Sequence, residues 1–152
     1  MTIYRLTPER YRDTAFSGEG ALRYPGRWHR PGRRVVYAAQ HLSLAVLETL
    51  VNLDAGPPPA FVYFRIEMEE QRHLQVLSEE ELPAGWNHSV WQEGAQLLGS
   101  AWLEAGTTPV LQVPTVIVPG EFNFLLSPEH PHFGELRIEG PFPYTLDQRL
   151  RS

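Results

Sequence analysis

Gly26-Arg-Trp-His-Arg-Pro-Gly-Arg-Arg-Val-Val-Tyr-Ala-Ala-Gln-His-Leu-Ser-Leu-Ala-Val-Leu-Glu48 holds a strand and a helix in one unbroken run. Val35 to Ala39 reads as a short apolar strand, and its alanines leave room for a ligand or another backbone to come close. Ser43 is a helix-capping residue, and Leu44, Val46, Leu47, Leu50, Val51 and Leu53 predict a helix with a broad apolar face. Ahead of the strand lie Arg27, Arg30, Arg33 and Arg34; Tyr37 is on it, and Glu48 is in the second turn of the helix. A basic group, an aromatic face and one carboxylate therefore come from consecutive elements, a set suited to an anionic ligand with a planar ring and a bond to be broken. On a helical wheel of about 100° per residue, Glu48 falls on the polar side with Asn52, which by itself describes a solvated carboxylate.

Outward from this run, Thr2 to Leu6 alternates as a strand that Pro8 ends. Residues 9–15 read as loop or one helical turn, and Ser17 to Ala21 as a flexible corner. Phe61 to Ile66 has the strongest β-propensity in the chain and is expected at the centre of a sheet. Glu67 to Gln71 is expected to turn and His73 to Leu77 to return as its strand partner. A helix is predicted from about Ser89 to Leu98, with Trp91, Leu98 and Trp102 in the core. Val110 to Pro119 is extended but broken by Pro114 and Pro119, which argues for an edge strand or a kink beside a cleft. Phe122 to Leu126, Leu136 to Glu139 and Tyr144 to Leu150 are the remaining strand candidates. Short strands mixed with two helices, without regular βαβ spacing, predict a single α+β domain over residues 1–152.

Composition narrows the function. With 42% hydrophobic and 20% charged residues the chain reads as an ordinary globular protein, and with no cysteine it has neither disulfides nor thiolate metal sites. No signal-like segment and no apolar run of about 18 residues is present, so a cytoplasmic protein without membrane association is expected. The net charge of −5 argues against direct nucleic-acid binding. Its distribution is uneven: eight arginines against three carboxylates through Arg34 leave +5 there and −10 on the rest. Every basic residue is arginine, whose planar fork grips phosphate oxygens in pairs, so a phosphate-bearing small molecule is expected at the first third of the chain.

Two other sites are weaker. Gly18-x-Gly20 is followed by Arg23 where a dinucleotide fingerprint needs its third glycine. Glu129-His130-Pro131-His132 carries metal-ligand residue types, but no third ligand has a spacing that specifies a geometry, and no metal is expected. A serine hydrolase elbow, Gly-x-Ser-x-Gly, does not occur.

The succession Ser17-Gly-Glu-Gly-Ala21, Gly26-Arg-Trp28, Val35-Val-Tyr-Ala-Ala39 and Ser43-Leu-Ala-Val-Leu-Glu48 resembles the RES domain family, toxins of bacterial RES/Xre toxin–antitoxin pairs. Trp102 in Gly99 to Leu103, Val113-Pro-Thr-Val-Ile-Val-Pro119, Glu121 to Pro128 and His130-Pro131 follow in the family's order, so the resemblance spans nearly the whole chain. It implies an ADP-ribosyltransferase-like fold with a mixed, mostly antiparallel sheet. It further implies an enzyme that binds NAD and cleaves its nicotinamide–ribose bond, by hydrolysis, by phosphorolysis or by ADP-ribose transfer to a protein. The implied partner is an Xre-type antitoxin over the NAD cleft, with self-association possible inside that complex.

The arginine, glutamate and serine that name the family fall on Arg27, Glu48 and Thr115, where threonine keeps the hydroxyl and adds a methyl. His29 stands where the family has asparagine after Arg-Trp, and Ser127 where it has asparagine before Pro128. Arg27, Tyr37 and Glu48 are the expected catalytic set. Arg5, Arg27, Trp28, Tyr37, Thr115 and Asn123 are the expected NAD-binding residues. The chemistry agrees: breaking a C–N glycosidic bond builds positive charge on the ribose, which a carboxylate at the ribose hydroxyls stabilises. Arginine holds the pyrophosphate, and Tyr37 stacks on or walls off the nicotinamide. Two other function classes stay open: a module that binds a phosphate ligand without chemistry, and an inactive remnant that only pairs with its antitoxin.

Overall fold

The computed structural model describes residues 1–151, and its seven strands form one sheet. They are β1 (Thr2–Pro8), β2 (Val36–Ala39), β3 (Phe61–Glu67), β4 (Leu74–Val76), β5 (Val110–Pro114), β6 (Phe122–Leu126) and β7 (Arg137–Tyr144). Their order across the sheet is β4-β5-β6-β2-β1-β3-β7, antiparallel at every junction except the parallel β4–β5 pair. The helices are α1 (Glu19–Arg23), α2 (Leu42–Val51), α3 (Glu70–His73) and α4 (Glu93–Ala105). The expected α+β class with a mixed, mostly antiparallel sheet is thus the observed one. No helix among the described residues is long and apolar enough to cross a membrane.

Several local expectations fail for identifiable reasons. The segment after β3 does not return as its hairpin partner. α3 carries the chain instead to β4, which pairs with β5 at the opposite end of the strand order. In a flat sheet that step would cross roughly 24 Å, five spacings of about 4.8 Å, while residues 67–74 with one helical turn among them reach only about 18 Å. The sheet must therefore curl. The interior of the curl is a cluster in which Ile3 of β1, Ile66 of β3, Val110 of β5 and Phe124 and Leu126 of β6 are all buried together. β3 lies inside the sheet but not at its centre, which is β2. β5 is also interior, not an edge: Pro114 closes the strand opposite Phe122, where the missing N–H does no harm. The candidate Leu136 to Glu139 becomes the start of the edge strand β7, whose Gly140 and Pro141 bulge opposite β3 between Tyr63 and Arg65, whereas the expected strand Tyr144 to Leu150 does not form: Tyr144 is the last residue of β7 and Gln148–Leu150 is a 3-10 turn.

Helix boundaries move as well. Ser17 to Ala21 leads into α1 and not a loose corner, and α2 starts at Leu42 with His41 in the cap position, so Ser43 is inside it. α4 begins after the expected start and continues to a left-handed Gly106 at φ 64°. It packs Ala95, Trp102 and Leu103 against Leu111, Val113 and Leu125 of β5 and β6, with Leu98 partly buried beside them. Trp91 is outside this helix and 45% exposed, contrary to its expected place in the core. α2 lies on β1 and β2 through Leu44 and Ala45, and Val46 meets Phe61 of β3.

The chain leaving β3 is held by a polar cluster. His73, buried on α3, accepts the Glu69 N–H at Nδ1 (3.0 Å), so its Nε2 carries the proton and donates to Glu135 (3.1 Å). His132 and Arg72 also donate to Glu135. The hydrogen bonds from His73 and His132, and then the Arg72 charge, hold the Glu135 carboxyl down at about 2 from 4.5. A depressed carboxylate stabilises the fold above its unfolded value and loses that contribution as pH falls towards its folded one. Glu135→Gln is expected to lower the midpoint of urea unfolding at pH 7, with the difference from wild type shrinking between pH 4.5 and about 2. A difference that persists undiminished at the acid end would contradict this.

Candidate active site

Three elements converge on Glu48. The residue is one turn beyond the fully buried Leu44 on the same face of α2, and its carboxylate Oε1 accepts from Thr115 Oγ1 (2.7 Å) and Asn123 Nδ2 (2.8 Å). Thr115 is buried just past β5 and accepts the Ile117 N–H in turn (3.1 Å), which fixes its hydroxyl proton toward Glu48. Asn123 is on β6. The second carboxylate oxygen, Oε2, makes no hydrogen bond among the described residues. The polarity wheel misplaced this side chain because Leu47 and Val51, counted on the apolar face, are the exposed ones, at 38% and 64%. The buried face is centred on Leu44 and Ala45, and Glu48 continues it.

Arg27 is half-buried on the loop between α1 and β2. Its Nη1 donates to the carbonyls of Trp86 (2.8 Å) and His88 (2.6 Å), so the loop ahead of α4 holds the guanidinium by one nitrogen and leaves Nε and Nη2 as a two-donor edge. Burial lowers its pKa, and the Glu48 carboxylate, ahead of Tyr37, opposes that shift. Tyr37 hydrogen-bonds through its hydroxyl to His29 Nδ1 (2.6 Å). Burial raises the phenol pKa, against a hydrogen bond from the Trp28 backbone and the Arg27 charge, so Tyr37 is a neutral phenol.

Other expected residues are placed differently. Trp28 is 2% exposed and stacks on Trp86 at 6.1 Å, so its indole belongs to the core and anchors the loop that carries Arg27. Arg5 spends Nε on the Ala15 carbonyl (2.7 Å) and Nη1 on the Tyr37 carbonyl (2.9 Å), and burial lowers its pKa to about 10. It fastens β1 to β2 and lines a cavity of about 590 Å³ with Tyr24, His29 and Tyr37, a lining that includes neither Arg27 nor Glu48. The arginine excess of the first third is mostly spent elsewhere: Arg12 on Glu9 and Asp13, Arg23 on Glu19, Arg30 on Glu93, Arg33 on Glu104, and Arg34 on the Ser17 carbonyl. It is not one anion-binding patch.

A family model, the RES domain, matches residues 2–147. The chain belongs to the RES domain family. It is 41% identical to the protein named Toxin Res of Photorhabdus laumondii subsp. laumondii, over 99% of this chain and 97% of that one. It is 35% identical to the Toxin Res of Yersinia enterocolitica, over 99% and 100% of the two chains. A relative from Sphingobium sp. strain YBL2, named Prs ADP-ribosylating toxin, is 38% identical over 92% of this chain and 89% of its own. The fold is similar to a chain in the crystal structure of the M. tuberculosis MbcT–MbcA toxin–antitoxin complex, with a TM-score of 0.75 at 20% identity, covering 95% and 84% of the respective chains.

In this RES domain the loop carrying Arg27 is fixed by contacts that the sequence reading did not identify. A Cβ on Gly99 of α4 would stand 1.7 Å from the Trp28 carbonyl oxygen, so only glycine lets helix and loop meet. Gln96, one turn earlier, donates to the Gly26 carbonyl (3.0 Å). Gly26 is likewise required: a Cβ there would come within 2.6 Å of the His29 ring and 3.0 Å of the Tyr37 hydroxyl. The available signal was Gly94 and Gly99 in a run that is otherwise helical, and a mid-helix glycine marks a close approach. Gly99→Ala is expected to destabilise by about 2–4 kcal/mol in urea unfolding, far beyond the slight gain an alanine gives in an open helix. A neutral or stabilising result would mean that α4 and the loop are not in contact.

Proposed function

We propose that this chain is the toxin of a toxin–antitoxin pair, and that it binds NAD and breaks the nicotinamide–ribose bond with water or phosphate as the acceptor. The observation that carries the reading is Glu48. Its carboxylate is held through one oxygen by Thr115 and Asn123, leaves the other oxygen free, and lies within the electrostatic field of Arg27. The names of the curated relatives support the toxin half of the reading, and the ADP-ribosylating relative supports cleavage at this bond.

In this reading Arg27 presents Nε and Nη2 to the NAD pyrophosphate, and Tyr37 forms a neutral wall for the nicotinamide ring. As the C–N bond lengthens, its electron pair goes to the ring nitrogen, nicotinamide leaves neutral, and positive charge develops at the ribose. Glu48 Oε2 accepts from a ribose hydroxyl and stabilises that charge, and its two fixed donors mean that little reorganisation is needed at the moment of reaction. The acceptor oxygen then bonds to the ribose carbon, and water, when it is the acceptor, releases its proton to solvent. No metal takes part. Transfer of ADP-ribose to a protein is the second reading, favoured by the name of the Sphingobium relative. The partner is an Xre-type antitoxin that covers the cleft, and the toxin acts in the cytoplasm, where its substrate is.

Purified protein incubated with NAD, with and without phosphate, is expected to release nicotinamide, and the mass of the accompanying product identifies the acceptor. Glu48→Gln keeps shape and loses charge, so kcat is expected to fall by about 10²–10³ with NAD affinity largely kept. Wild-type turnover in that variant would leave only a binding module. In the Glu48→Gln background, Arg27→Ala is expected to raise the calorimetric Kd for NAD by about tenfold or more. An unchanged Kd would remove Arg27 from the site.

A further inference from the structure

His29 makes two contacts that together determine where its proton is. Its Nε2 is 2.8 Å from the Tyr24 carbonyl, an acceptor that can only receive, so Nε2 carries the hydrogen. In the neutral ring Nδ1 is then an acceptor, and the Tyr37 hydroxyl, 2.6 Å away, must donate to it. The residue is 4% exposed, and the Gly26 backbone lies close enough to the imidazole edge and the Tyr37 hydroxyl that a Cβ there would meet both. We infer that His29 is a positioning residue, which draws the Tyr37 hydroxyl proton onto its own ring and so leaves the phenol oxygen as a hydrogen-bond acceptor for a ligand in the cavity that Arg5, Tyr24 and Tyr37 line.

This role ends when the ring gains a second proton. Both imidazole nitrogens are then donors, Tyr37 can no longer give its hydrogen to Nδ1, and the phenol hydrogen must turn away from the ring. The groups around the pair make that protonation harder. Arg5 from β1 and Arg23 from α1 line the same cavity, with Glu19 paired to Arg23, and Arg27 is on His29's own loop; on the α4 side, Arg30 is neutralised by Glu93. Burial keeps His29 below its ordinary 6.5, against the hydrogen bond to the Tyr24 carbonyl, so the neutral arrangement persists to mildly acid pH. Because that folded value is lowered, the stability tied to the neutral ring is present above 6.5 and falls away as pH drops below it.

The effect on catalysis rests on the proposed NAD cleavage, whereas the hydrogen-bond arrangement does not, and the tests separate the two. Nitrogen-15 NMR of the imidazole at pH 8 is expected to show the Nε2-protonated tautomer; an Nδ1-protonated ring overturns the inference whether or not the protein turns over NAD. Where wild-type protein cleaves NAD, its kcat is expected to fall along an acid limb with a midpoint below 6.5. His29→Phe, which offers Tyr37 no acceptor, is expected to lower kcat at pH 8 by about tenfold while the Kd for NAD moves little. Asn Oδ1 can accept in the place of Nδ1 and does not titrate, so His29→Asn is expected to restore most of that loss and to have no acid limb between about pH 5.5 and 7. An identical acid limb in His29→Asn, or full activity in His29→Phe, overturns the positioning role. Absence of NAD cleavage in wild type, with the tautomer as expected, overturns the proposed reaction and leaves the His29–Tyr37 arrangement standing.

Discussion

A half-buried carboxylate is stabilised by hydrogen bonds, and Glu48 finds its donors beyond the strands its helix packs against. α2 rests on β1 and β2, whereas Thr115 and Asn123 come from β5 and β6. β6 is the hydrogen-bonded neighbour of β2, with Asn123 opposite Ala39, and β5 is next beyond it, so a helix lying over β1 and β2 reaches both donors across the adjoining strands. Each bond adds a modest net stabilisation of about 1–3 kcal/mol, since the acceptor is charged. The larger consequence is orientation: with Oε1 engaged twice, the direction of Oε2 is decided before any ligand arrives.

The same logic governs the cation. A guanidinium on a surface loop would sample many rotamers, and Arg27 is kept from doing so by two backbone carbonyls, which neutralise none of its charge. Its loop is in turn pressed on α4 so closely that Gly99 can bear no side chain. Rigid backbone thus substitutes for a salt bridge. Arg12, Arg23, Arg30 and Arg33 are paired with carboxylates and are largely exposed, where such pairs contribute little. Arg27 has no carboxylate within ion-pair distance among the described residues and keeps its charge available to a ligand.

What could be read from the sequence divides along physical lines. Strand and helix types followed from local alternation and from β-branched and aromatic runs, so β1, β2, β3, β5, β6 and α2 were all anticipated. Pairing was not: nothing local in Leu74 to Val76 distinguishes a hairpin return to β3 from a parallel partner for β5, because that choice depends on sheet curvature. The wheel failed at Glu48 since hydrophobicity marks what a helix could bury, and here Leu47 and Val51 stay exposed while a carboxylate is half-buried. Motif order placed Arg27, Tyr37, Glu48, Thr115 and Asn123, and the structure brings Glu48, Thr115 and Asn123 into contact, with Arg27 and Tyr37 close by. Trp28 and Arg5 were expected at the ligand from residue type and motif match, and neither can tell an exposed indole or guanidinium from one already committed to the core or to backbone carbonyls.

His29 shows how a departure from a family pattern can be absorbed. An asparagine at that position would join the Tyr37 hydroxyl through an amide oxygen that has one chemical state. Imidazole meets that hydroxyl with a nitrogen that changes role on protonation, so histidine at this position carries a titration that asparagine lacks. Its second nitrogen also reaches the Tyr24 carbonyl, linking the end of α1 to β2 through one side chain. Thr115 differs in kind. Its hydroxyl makes the hydrogen bond that serine would, and the added methyl is buried, so the change alters packing without adding a second chemical state.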